Sequence, residues 1–153
     1  MKIAVLKEPA AHDKRVAIVP DSVKRLAQKK IEVVVESQAG ERSLAPDAEY
    51  ASQGARVVPA AAEAIAAADC VMRLRVPTLA EIDALKDGCI LVAPILPLVN
   101  HEHVKKLAQK KITTLAVDFI PRTTVAQMMD VLSSQGTAAG YYAVVLAAAA
   151  LPR

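Results

Sequence analysis

The stretch VKRLAQKKIEVVVE (23–36) decides how this chain reads. Val23, Leu26 and Ala27 share one helical face, and Lys24, Arg25, Lys29 and Lys30 fall outside it. Ile31 to Glu36 then form a β-branched apolar run of strand type. The same order returns as VKKLAQKKITTLAV (104–117). Duplication of one unit and convergence of two surface helices would each produce the repeat. Either way, a helix feeding a strand is a physical element of this chain. The lysine pairs 29–30 and 110–111 suit solvated helix ends, where cations oppose the macrodipole.

Working outward, Ile3 to Leu6 reads as a first strand and Pro20 to Lys30 as the helix after it. Pro46 to Gln53 is a short helix, with proline in its first turn and Gly54 as its stop. Arg56 to Val58 is a short strand, followed by an alanine-rich helix to about Ala67. Asp69 to Arg75 is the next strand. Thr78-Leu-Ala-Glu81 has the form of a capping box opening a helix that ends near Gly88. Cys89 to Ala93 is a buried strand, Asn100 caps a helix to Lys111, and Ile112 to Val117 is a strand. Two helices, about 124–134 and 137–150, close the chain. Strands alternating with helices predict one α/β domain of Rossmann-like or flavodoxin-like type. Its sheet is expected to be mainly parallel, with helices on both faces.

Composition narrows the function. A length of 153 residues fits one domain with a real core, and 54% hydrophobic against 23% charged residues fits a soluble globular protein. There is no Trp, one Phe and three Tyr, too few aromatics for a protein that stacks bases. Net charge is 19 − 16 = +3, too mild for a nucleic-acid footprint. Cys70 and Cys89 lie in apolar runs, so buried reduced thiols and a reducing compartment are expected, with pairing left open. Lys7, Glu8 and His12 interrupt the first apolar run, which argues against a signal peptide. Tyr141 to Leu151 is too short to span a bilayer. His101 and His103 flank Glu102 and point to different sides of a helix, so no metal site is expected. One of Tyr141 and Tyr142 is expected to face the core.

In open α/β sheets, ligands gather beyond the carboxyl ends of the strands. Here those ends lead into Lys7, Glu8 and Arg15, into Arg73 and Arg75, into Pro94-Ile-Leu-Pro97, and into Asp118, Pro121 and Arg122. The last edge continues as VDFIPRTTVAQMMDVLSSQGTAAGYYAVV (117–145). Within it Gln127, Asp130 and Ser133/Ser134 are spaced for one helical face, with Arg122 just before. An arginine, an amide, a carboxylate and a hydroxyl supply donors and acceptors together. Such a set suits recognition of a carboxamide or a ribose, and it lacks the nucleophile–base pair of a hydrolase. The competing reading is a solvated polar face, with Arg122 paired to Asp118 or Asp130.

The run Asp118-Phe-Ile-Pro-Arg122, Ala126-Gln127, Asp130, Leu132-Ser133-Ser134 and Ala139-Gly140-Tyr141 resembles a signature of the nicotinamide nucleotide transhydrogenase alpha-subunit family. Lys14-Arg15-Val-Ala-Ile-Val-Pro20 and Glu36-Ser-Gln-Ala-Gly40 resemble it too, and the former is shared with alanine dehydrogenases. The resemblance implies an N-terminal domain of a subunit that binds NAD(H) and exchanges hydride with NADP(H) on a partner component. That exchange is coupled to proton movement through a membrane part. It implies that Arg122, Gln127, Asp130 and Ser133 surround the nicotinamide end. Arg122, Asp130 and Ser133 would fix carboxamide and ribose, and Gln127 would bridge towards the second nucleotide. These are orienting roles, since direct hydride transfer needs two rings held close and dry. A cytoplasmic place beside the inner membrane, reached through partner subunits, and a homodimer of the full subunit belong to the same expectation.

The chain departs from the family in one respect. Its five glycines, at 40, 54, 88, 136 and 140, form no G-x-G-x-x-G. The family's following NAD-binding Rossmann domain, with its pyrophosphate cradle, is therefore expected to be absent from residues 1–153. A piece, a proteolytic product and a split subunit all fit this. Weak or no NAD(H) binding by the chain alone is expected. The rival reading is an alanine dehydrogenase-like enzyme, whose pattern uses an arginine at Arg15, a lysine where Arg75 stands and a histidine where Leu96 stands. Leu96 cannot act as acid or base. Arg15 itself is expected to be structural, with a pair to an acid such as Glu8 as the other option. A non-catalytic interaction module is the third reading.

Overall fold

The computed structural model describes residues 1–9 and 13–151, so His12 lies outside the described residues. Among the described residues six strands form: β1 (Lys2–Val5), β2 (Glu32–Glu36), β3 (Arg56–Val58), β4 (Cys70–Met72), β5 (Ile90–Ala93) and β6 (Thr113–Ala116). They pair in the order β3-β2-β1-β4-β5-β6, and every pair is parallel. The helices between them are α1 (Pro20–Gln28), α2 (Asp47–Ser52), α3 (Ala61–Ala67), α4 (Leu79–Ala84) and α5 (His101–Gln109). The expected α/β class and parallel sheet are borne out. The chain divides into two compact units, Met1–Ala116 and a second that begins at Val117.

Strand alternation builds two cores in the first unit. Ile3, Val5, Val33 and Val35 face one side with Val23 of α1 and Tyr50 of α2. Ala4, Leu6, Val34, Val71 and Leu91 face the other, with Ile65 of α3, Ile82 of α4 and Leu107 of α5. This is the period-two pattern of strands sandwiched between helices. Each buried valine contributes roughly 1.5–2 kcal/mol by leaving water. Cys70 and Cys89 are buried free thiols, and burial pushes both thiols up.

The sequence repeat has a conformational cause. Both copies end in the same helix stop. Lys30 and Lys111 sit in the left-handed region, at φ 59° and 55°. Ile31 N–H donates to Leu26 O and Lys30 N–H to Ala27 O, and Ile112 and Lys111 repeat the pattern on Leu107 and Ala108. That is a Schellman motif, with the apolar residue after the stop set against the leucine before it. LAQKKI is thus one capping motif written twice, on helices that cover opposite faces of the sheet. The third example, Tyr50 to Ala55, carries Gly54 at the left-handed position.

Gly40 is required sterically. A Cβ there would meet Tyr50 Cε2 at 2.5 Å and Ala45 O at 2.7 Å. Tyr50 is fully buried, its hydroxyl donates to Ile18 O at 2.7 Å, and burial pushes its ionisation up to about 12. The glycine that ends the Glu36–Gly40 motif therefore leaves room for the tyrosine that pins α2 beside α1.

Two stability measurements follow from these contacts. Gly40→Ala is expected to lower the urea midpoint by an amount worth about 2–3 kcal/mol through overpacking. Lys30→Gly and Lys111→Gly are each expected to raise it by up to about 1 kcal/mol by relieving the left-handed strain.

Candidate functional site

Sheet order reverses between β1 and β4, so the crevice for a ligand opens beyond their carboxyl ends. Three arginines and three carboxylates meet there. Glu8 follows β1 and is 3% exposed, and Arg73 follows β4 and is 8% exposed. Glu8 Oε1 accepts from Leu74 N–H at 2.8 Å and lies 3.6 Å from Arg73 Nε. Arg73 Nη2 lies 2.8 Å from Glu81 Oε1. The other Glu81 oxygen accepts from Thr78 N–H at 2.7 Å, and Thr78 Oγ1 accepts from Glu81 N–H, completing the expected capping box of α4. Burial opposes ionisation of Glu81, yet the bonds from Thr78 and the charge of Arg73 outweigh it and leave its pKa lowered.

Arg15 pairs with Asp13. Its Nε and Nη2 donate to the two Asp13 oxygens at 2.9 and 2.8 Å, and this holds the Asp13 carboxyl down to about 2. Glu8 already has a buried partner in Arg73, and Arg15 takes the acid two residues before it. Arg75 is half-buried at the same edge and adds a favourable field at Asp13.

The second unit carries the other expected residues. Two short 3-10 turns, Val117–Phe119 and Gln127–Met129, precede one long helix, α6 (Val131–Ala150). The expected helix over 124–134 is not formed, and Gly136 does not divide α6. Asp130 is the reason. Its Oδ1 accepts from Leu132 and Ser133 N–H at 3.0 and 3.2 Å, and its Oδ2 accepts from Ser133 Oγ at 2.6 Å. An aspartate whose carboxylate takes the free N–H groups of a first turn begins a helix and does not continue one. Gln127, Asp130 and Ser133 therefore do not share a helical face. The structure joins Asp130 to Ser133, while Gln127 stands on the preceding turn with an exposed side chain. Arg122 is exposed, and its charge acts on Asp130. The bond from Ser133 Oγ, backbone N–H groups and Arg122 together hold the Asp130 carboxyl below its ordinary value.

Thr123 shapes this loop and was missed by the sequence reading. Its carbonyl accepts from Gln127 N–H at 2.9 Å and its hydroxyl from Ala126 N–H at 3.3 Å. A threonine three residues before an alanine turn was the available signal. Around Gln127, Val125 and Met128 are 87% and 95% exposed, an apolar rim on a polar loop. Tyr141 and Tyr142 are both exposed, against the expectation that one faces the core. Among the described residues no group of His, Cys, Asp and Glu is placed to hold a metal. No helix among them is long and apolar enough to cross a membrane.

Fold and loop thus define a doubly wound domain with charged groups at its switch point and a capped polar loop after its last strand. Residues 4–139 match the family described as alanine dehydrogenase/PNT, N-terminal domain, and the chain belongs to that family. It is 37% identical over 149 residues to an NAD(P) transhydrogenase subunit alpha protein of Rickettsia prowazekii, covering 95% of this chain and 39% of that protein. It is 39% identical over 150 residues to the protein of the same name from Rhodospirillum rubrum, at the same coverage of each. An alanine dehydrogenase from Methanococcus maripaludis is 31% identical over 120 residues, or 78% of this chain and 32% of that one. Among solved structures, a transhydrogenase from Sinorhizobium meliloti superposes with a TM-score of 0.92 at 40% identity, over 100% of this chain and 46% of that chain. The chain spans about two fifths of the length of the transhydrogenase relatives named here.

The cap makes a prediction about pH. Asp130 has a lowered folded-state pKa, so its support for α6 is complete above the ordinary carboxylate value and is lost as pH falls through the lowered one. Amide exchange at Leu132 and Ser133 is expected to accelerate over that acidic window, and Asp130→Ala to abolish the pH dependence.

Proposed function

We propose that the chain serves an NAD(P) transhydrogenase alpha subunit, in which hydride passes directly between NAD(H) and NADP(H) and is coupled to proton movement in a membrane component. Its contribution is the loop from Arg122 to Ser133, which orients the nicotinamide end of NAD(H). The observation that carries this reading is the self-bonded loop. Asp130 and Ser133 are locked together at the start of α6, and Gln127 is left exposed on the turn before them. Preorganised groups of this kind position a ring without doing acid–base chemistry.

Ser133 Oγ, Asp130 and Arg122 supply the donors and acceptors that a carboxamide and ribose require. Gln127, flanked by exposed Val125 and Met128, faces whatever closes over the loop, and an NADP(H)-holding partner fits that place. The dinucleotide's pyrophosphate has no glycine-rich cradle in this sequence and is held by a separate NAD-binding domain. The subunit works in the cytoplasm, peripheral to the inner membrane through its partners. An alanine dehydrogenase role is disfavoured by Leu96, which is 51% exposed beyond the carboxyl end of β5 and has no proton to give.

Calorimetric titration with NADH tests this. The chain alone is expected to bind weakly or not at all and to have no turnover. A mixture with the dinucleotide-binding domain of a transhydrogenase relative is expected to bind. Asp130→Ala is expected to weaken that binding about 5-fold or more, the worth of at least one hydrogen bond. Tight binding by the chain alone would overturn the reading.

A further inference from the structure

One edge of the sheet is undefended. Among the described residues β6 is the last strand and pairs only with β5. Thr113 N–H donates to Cys89 O at 3.0 Å, so Thr113 and Leu115 turn their backbone groups towards β5. Thr114 and Ala116 turn theirs outward, where no strand receives them. The sequence of β6, TTLA, has neither the proline nor the charge that blunts an edge. The opposite edge, β3, is only three residues long and opens with Arg56, which pairs with Glu63.

Beside β6 the fold leaves a groove of about 270 Å³. Val104 and Ala108 of α5 line it, with Thr114 and Ala116 of β6 and with Pro97. On the other face of β6, Leu115 is 56% exposed. An extended chain laid along β6 meets both needs. Its backbone bonds the outward groups, and its alternate side chains enter the groove or cover Leu115.

We propose that the sheet is completed at β6 by an extended apolar segment from the part of the subunit that follows its N-terminal domain. This rests on reading the chain as part of the longer subunit, and not on the nucleotide role of the Arg122–Ser133 loop. The matched part is 39% of each transhydrogenase relative, and the family places it at the N-terminus, so most of those chains lies after it. Strand length favours this occupant over a free peptide. Two outward residues make few hydrogen bonds, too few to offset the freedom a separate molecule loses, and a tether removes most of that loss. Charge disfavours a second copy. Lys106 and Lys110 pair with Asp83 and Asp87 beside α4. Lys105 is exposed next to Val104 and has no ion pair among the described residues. Two-fold pairing of β6 would bring the two α5 helices together and set Lys105 against its own copy.

A chimera that continues this chain with the unmatched part of the Rhodospirillum rubrum protein tests the proposal, by amide hydrogen exchange without nucleotide. Thr114 and Ala116 are expected to exchange at least about 10-fold more slowly than in the chain alone, while Thr113 and Leu115, already bonded to β5, change little. A second chimera, made with the Sinorhizobium meliloti protein, repeats the measurement if the first does not fold. NADH binding is read separately, and protection at β6 without it would uphold the edge while removing the role of the loop. A folded chimera in which Thr114 and Ala116 exchange as fast as in the chain alone would overturn the proposal. Protection of those amides in the chain alone, rising with its concentration, would overturn it too and assign the edge to a second copy.

Discussion

Parallel pairing governs this structure. Two parallel strands cannot be joined by a tight turn, so each step of the sheet needs a crossover with a helix on one face. Two crossovers, through α1 and α2, carry the chain one way from β1. The return through α3 and the steps through α4 and α5 fill the other side. The reversal falls between β1 and β4, and the loops that leave their carboxyl ends have no helix of their own to enter at once. Glu8, Asp13, Arg15, Arg73 and Arg75 gather there because the topology leaves that edge open.

Burying an arginine beside the sheet is costly unless its charge is met. Arg73 is met twice, by Glu8 and Glu81, and Glu81 also serves the α4 cap. One cluster therefore joins helix capping, strand ends and charge balance.

Much of the fold was legible. Val33 to Val35, Cys89 to Ala93 and the Thr78–Glu81 box are local signals, and each produced the element expected. Strand ends were read too long at Asp69 to Arg75 because Arg73 looks like an exposed strand residue in sequence. Its burial depends on Glu8, far away along the chain, which no local pattern reveals. The loop failed differently. Asp130 with Ser133 three residues on is a legible cap, but the helical spacing from Gln127 competed with it and concealed where α6 starts. Arg15 was left between a structural role and a pair with an acid, and the acid it takes, Asp13, lies only two residues before it. The roles of Arg122 and Gln127 rested on resemblance from the start, since exposed side chains carry no packing signature.

The central claim is that residues 122–133 form a preorganised half of a nucleotide site. Amide-resolved NMR of the labelled chain, with NADH and an unlabelled dinucleotide-binding domain from a transhydrogenase relative, tests it most directly. The account predicts shifts at Arg122, Gln127, Asp130 and Ser133 that appear only when nucleotide and domain are both present. Shifts that leave this loop untouched, while NADH binds the mixture, would contradict it.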